Sequence, residues 1–125
     1  MHRVSTINPA YRNGDGGPAY LIQGPSADIG VLHLTPGQAM PNHFHARCDE
    51  TFVVLEGRAG LWLDGSIRYD LTPDTVLACE PGELHYLVND SHADFRCVFI
   101  KSPASPGDTV NVPWEPGKPA PGTPT

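Results

Sequence analysis

The chain has 125 residues, a formal charge of −6 and 39% apolar residues. This is the length of one domain, with enough chain to bury a core. Its acidity disfavours nucleic acid and anionic membrane as partners, and no run approaches the roughly 20 apolar residues of a membrane span. Cys48, Cys79 and Cys97 form no CxxC pair and are odd in number, which argues against a disulfide framework and suggests a reducing, cytoplasmic setting. No basic region followed by an apolar run opens the chain, so no signal peptide is expected.

Residues 1–18 form an arm without apolar periodicity, ending in the turn-rich run Asn13-Gly14-Asp15-Gly16-Gly17-Pro18. Short strand-like runs follow at 19–23, 29–35, 50–56, 59–64, 66–71, 75–79, 85–89 and 94–100. Gly- and Pro-containing turns separate most of them. Asp64-Gly65 is a tight hairpin signal, because a primed turn requires positive φ at both central residues. No ten-residue segment carries a helical apolar period. Evenly spaced short strands predict an all-β, antiparallel barrel or jelly roll over residues 19–112. Residues 113–125, with five prolines and two glycines, form a tail that can sustain neither ladder nor helix. Trp114 is its one apolar anchor.

Within His43-Phe44-His45, strand alternation places both imidazoles on one face, about 7 Å apart at the backbone. Glu50 opens the next strand, and His85 opens another 40 residues beyond His45. Each of these residues alone is more often a solvated or satisfied side chain than a ligand. Together, an all-β fold lets them converge on one ion. Three imidazoles and a carboxylate suit Fe, Mn, Ni, Zn, Co or Cu as divalent ions. On an octahedral ion, two adjacent positions would remain for substrate or dioxygen.

Phe52 and Val54 share the parity of Glu50, and Leu87 and Asn89 that of His85, so these four are candidates to line the substrate space, with core packing the default for Phe52 and Val54. His33 shares a face with Ile29 and Val31. If that face is interior, His33 joins Glu50 as a candidate catalytic acid or base; a hydrogen-bonded core histidine is the alternative. Cys79 and Cys97 read as small buried hydrophobes; Cys48 lies in the loop between ligands, where exposure and oxidation are open to it, with nothing nearby to establish a low pKa. Tyr86 and Trp62 are expected to pack between sheets or at a subunit contact. The arginines are scattered and form no anion clamp.

The residues from Gly37 through His43, His45 and Glu50 to Gly57 match every position of the first cupin motif. Gly82, His85 and Asn89 match the second, where Asp74 and Glu80 stand in place of its first Gly and its Pro. Over about residues 20–100 the chain therefore resembles a small single-domain cupin. The resemblance implies a jelly-roll barrel with a divalent transition metal on His43, His45, Glu50 and His85, and a substrate in the interior. It also implies a homodimer formed through the N-terminal strand, and a structural or mouth-lining role for Asn89. The expected activity is, first, dioxygenase-like oxidation of a small chelating substrate. The alternatives are an isomerase, cyclase or lyase, or a non-catalytic binding or sensor protein.

Overall fold

The computed structural model describes residues 1–122. Ten strands form in chain order: β1 (Gly17–Gln23), β2 (Asp28–Leu34), β3 (Ala39–His45), β4 (Asp49–Glu56), β5 (Ala59–Leu63), β6 (Ile67–Leu71), β7 (Val76–Cys79), β8 (His85–Val88), β9 (Phe95–Ser102) and β10 (Thr109–Asn111). They build two five-stranded antiparallel sheets, ordered β1-β2-β9-β4-β7 and β10-β3-β8-β5-β6. Only the β1–β2 and β5–β6 hairpins stay within one sheet. Every other connection crosses between sheets, which is the jelly-roll arrangement. The closed barrel expected from the strand spacing is corrected in this respect. The ladders end at β1, β7, β10 and β6, so the two sheets face each other as a sandwich. The physical reason is that loops carry the crossings, so no strand bends from one ladder into the other. Among the described residues, no helix is long and apolar enough to cross a membrane.

The spacing of turn residues did not single out β3 or β10 as strands. Strand β3 contains Pro41, which cannot donate to a ladder, and β10 is three exposed residues. At the predicted hairpin, Asp64 and Gly65 both adopt positive φ (52° and 64°).

The core lies between the sheets and includes Leu32, Leu34, Phe52, Val54, Leu61, Leu71, Leu87, Phe95, Cys97 and Phe99. Both long flanking segments fold onto outer faces. Tyr11 of the N-terminal arm packs edge-on against His33, with ring centroids 5.1 Å apart, and Arg96 donates to the Thr6 carbonyl. Trp114 of the tail is buried against Trp62 and Tyr86 on the outer face of β5 and β8. Those two aromatics thus pack beneath the tail and not between the sheets. Tail residues 123–125 lie outside the described residues.

Candidate metal centre

Strand β3 owes its aim to an irregularity. Met40 pairs with Leu87 and His43 with His85, so β3 spends three residues where β8 spends two. This is a β-bulge at Pro41-Asn42, at a residue whose missing N–H already interrupts the ladder. The extra residue shifts the parity, so that Met40 and, beyond the bulge, His43 and His45 all face the interior. Asn42 fixes the bulge by donating to the Val112 carbonyl at 2.9 Å, and its own carbonyl accepts from Val112 N–H at 3.0 Å.

Glu50 approaches from β4 in the opposite sheet. Its Oε1 stands 3.0 Å from His45 Nε2, 3.2 Å from His85 Nε2 and 4.0 Å from His43 Nε2. The four donor atoms all lie within 4.8 Å of one another. His45, Glu50 and His85 are buried, and His43 is partly so. The other ring nitrogens are committed. His43 Nδ1 donates to the Pro41 carbonyl at 2.6 Å, His85 Nδ1 to the Glu83 carbonyl at 2.9 Å, and His45 Nδ1 to Asp108 Oδ1 at 3.1 Å. Because carbonyls and carboxylates only accept, each Nδ1 carries a proton, which leaves each Nε2 as the position open to an ion. With an ion in place of the Nε2 protons, three lone pairs and a carboxylate oxygen would face it in a buried space. That donor set fits a divalent transition metal and leaves little else to balance it.

Without an ion, protons partly fill this role. Burial opposes ionisation of Glu50, but hydrogen bonds from His45 and His85 outweigh it and hold the carboxyl well below its usual range. Burial also works against the His85 imidazolium, yet hydrogen bonding to Cys79 and Glu50 carries its pKa up to about 10. Burial and the neighbouring His85 lower His43 to about 4, which keeps it neutral.

Asp108 was not legible in the sequence. Besides orienting His45, it accepts from the N–H groups of Arg47 and Cys48 at 3.2 and 3.1 Å, tying down the loop that joins His45 to Glu50. His45, Cys48 and Asp108 form a second close group, but burial and then Asp108 push the Cys48 thiol up to about 12. A protonated thiol is a poor ligand, and His45 enters this group through its proton-bearing Nδ1. Cys48 is buried, so the exposure open to a loop thiol is not realised.

The four donors sit in a cavity of about 280 Å³ whose wall includes Phe52 and Leu87. Val54 lies deeper, in the core cluster. Asn89 is fully buried and structural: its amide donates to the carbonyls of Leu34 and Ala93, both at 2.8 Å. His33 is corrected outright as a candidate catalytic residue. Leu32 and Leu34 face the core, so His33 points to the opposite side of β2, where it bonds Asp94 at 3.0 Å beneath Tyr11. The sequence reading also missed Tyr20, Phe99 and Lys101 in the cavity wall. The available signals were the parity of Lys101, which continues the inward series Phe95, Cys97, Phe99, and the strand glycine Gly30. A Cβ on Gly30 would meet the Phe99 ring at 2.4 Å.

The motif departures resolve locally. Asp74 takes the positive φ (74°) that the motif's glycine would take. Glu80 is exposed, and its N–H donates to Glu83 Oε1 at 2.7 Å, a bond that proline could not make. Gly57, at φ 79°, lies so close to the Asp94 carbonyl that a Cβ would come within 2.1 Å of its oxygen.

Residues 30–101 match the family model described as Cupin domain. The tetracenomycin polyketide synthase protein TcmJ of Streptomyces glaucescens is 28% identical over 107 residues, covering 82% of this chain and 71% of TcmJ. Polyketide synthase CurC of Streptomyces cyaneus is 31% identical over 81 residues, 65% of this chain and about half (52%) of CurC. Among solved structures, the polyketide cyclase RemF of Streptomyces resistomycificus superposes with a TM-score of 0.73 at 22% identity, over 92% of this chain and 87% of RemF. An uncharacterised double-stranded β-helix protein of Klebsiella pneumoniae gives 0.77 at 22% identity, over 89% and 97%. Both structures share the fold, and the domain match over more than half of the sequence makes this chain a member of the cupin domain family.

Proposed function

We propose that this chain is a metal-dependent cyclase acting on a small, enolisable polyketone. The observation that carries this reading is the convergence of three imidazole Nε2 atoms and one carboxylate oxygen in a cavity of about 280 Å³, enough for a one- or two-ring product. The relatives named for polyketide synthases and a polyketide cyclase support the substrate class. They also reverse the order of expectations from the sequence, in which dioxygenase chemistry stood ahead of cyclisation.

A divalent ion held by His43, His45, Glu50 and His85 would supply Lewis acidity, acidifying a C–H next to a bound carbonyl. The protein would do the rest. Met40, Phe52 and Leu87 give the carbon chain an apolar wall against which to fold. Among the described residues Glu50 is the one carboxylate lining the cavity; released from the ion, it is assigned as the base that takes a carbon-bound proton. The enolate carbon attacks a carbonyl within the same chain, a C–C bond forms, the new alkoxide regains a proton, and water leaves.

The test uses 2,4,6-heptanetrione, whose internal aldol condensation gives orcinol and one water. Metal-loaded protein should form orcinol faster than metal-stripped protein, with no signal at an oxygen electrode. Stoichiometric oxygen uptake would instead establish the dioxygenase reading. Tight binding without product would establish a binding protein.

A further inference from the structure

The cavity that holds the metal ligands has a second polar end. Lys101 lies on β9 and is the cross-strand neighbour of Glu50 in the β4–β9 ladder, so both side chains enter the same interior. Its ammonium does not ion-pair with Glu50; among the described residues its partner is the Tyr20 hydroxyl, to which it donates. It lies 5.6 Å from the Phe99 ring centroid and sits off the hydroxyl edge of Tyr20, 5.1 Å from that ring's centroid. These rings meet edge-on at 5.0 Å, in space left by the missing side chain of Gly30. Burial works against the charge of Lys101, but Glu50 and Tyr20 raise its pKa, so it remains a cation.

The charge balance of the cavity runs against that of the chain. The protein carries −6 overall, yet among the described residues the cavity wall includes Lys101 and Arg12 as cations and only Glu50 as an anion. A resident divalent ion would make the interior more positive still. A half-buried ammonium beside two aromatic rings costs desolvation, and the carbonyl of a neutral substrate would recover less of that cost than an anion. An anionic group would recover that cost through a charge-assisted bond, with the Tyr20 hydroxyl free to turn and donate as well.

We infer that Lys101 and Tyr20 form a carboxylate-binding subsite, so that the substrate is a polyketone acid held at two points. Its oxygen pair would sit at the metal and its carboxylate at Lys101. The second point rests on the cyclase reading for the first. Tyr20 and Lys101 act here in specificity and register: by fixing one end of the chain they select which methylene lies beside Glu50.

Catechol and protocatechuate are the probes, since they share one chelating diol and only the second carries a carboxylate. Dissociation constants are measured by calorimetry on metal-loaded protein, with metal content checked in every variant. Wild type should bind protocatechuate at least tenfold tighter than catechol, the gain expected of one charge-assisted bond in a part-buried site. K101M should reduce that ratio to below threefold. K101R should keep most of the ratio, and Y20F should lower it severalfold, which preserves the test if K101M fails to fold. A wild-type ratio near one, or a ratio that K101M leaves intact, overturns the subsite. If protocatechuate binds through Lys101 while catechol fails to bind, the subsite stands and chelation at the metal falls. If catechol binds and the ratio is one, the reverse holds. Failure of both to bind overturns both.

Discussion

Two histidine–carboxylate pairs in this molecule have nearly the same local geometry and opposite prospects. His45 and Glu50 stand 3.0 Å apart between the sheets, and their side chains are 2% and 8% exposed. His33 and Asp94 also stand 3.0 Å apart, but on an outer face, 18% and 53% exposed. The distance does not separate a metal centre from a surface pair. What separates them is the company each histidine keeps. His45 has two further imidazoles aimed at the same carboxylate oxygen and an aspartate on its other nitrogen. His33 has one exposed carboxylate and the edge of a tyrosine.

The largest effect should come from deleting one ligand on each side of this comparison. His43→Ala removes a donor nitrogen and should abolish stoichiometric metal, measured by elemental analysis after dialysis. His33→Ala should leave metal content unchanged. If the second substitution strips metal as the first does, the outer pair belongs to the site and the comparison fails. Chelation of wild type should likewise lower the melting temperature, because an ion that binds only the folded state stabilises it by mass action, and His43→Ala should make melting insensitive to the chelator.

This contrast marks how far the sequence could be read. The four candidate ligands were legible because they fall on the signature positions of two family motifs, at or near the ends of β3, β4 and β8. The assignment of His33 failed for a physical reason. Alternation along β2 identifies two faces but not which one is inward, and both are buried here: Val31 is 0% exposed on one, Leu32 3% and Leu34 1% on the other. Only the fold-back of the arm, with Tyr11 over His33, distinguishes them, and arm docking leaves no periodic trace. The bulge at Pro41-Asn42 was similarly hidden, although it gives the interior both Met40 and His43. Asp108 and Lys101 depend on where β10 and the end of β9 lie across the sandwich, which local sequence does not state.

Asp108 sharpens the comparison at a lower magnitude. Asp108→Asn keeps the size of the side chain but weakens the acceptor that holds His45 Nδ1–H and two loop N–H groups. Metal affinity should fall about 10–100-fold, the usual cost of losing a partner behind a ligand histidine. Asp94→Asn makes the same chemical change behind His33 and should leave affinity unaltered. Competition with a chelating dye measures both. Equal losses would show that the effect is on overall stability and not on the orientation of a ligand.

A smaller change, per unit of the variable, should appear with pH. The folded pKa of His85, about 10, lies above the ordinary value, so the metal-free site holds a proton there at neutral pH that an incoming ion must displace. Affinity should therefore rise with pH, by about tenfold per unit for one displaced proton, and level off as pH passes about 10. An affinity that is flat between pH 7 and 9 would mean that His85 is already neutral in the folded protein.

The smallest effect belongs to the outer pair itself. An ion pair with one partner half exposed typically contributes about 0–1 kcal/mol. Asp94→Asn should therefore shift the urea unfolding free energy by less than about 1 kcal/mol. Glu50→Gln offers the opposite case in metal-free protein: it leaves two buried imidazoles facing an amide in place of a carboxylate. Breaking a buried pair on one side typically costs about 3–5 kcal/mol. If Glu50→Gln instead proves stabilising without metal and destabilising with it, the cluster is held together for the ion at the expense of the fold. A similar loss in both conditions would make the carboxylate a structural group first and a ligand second.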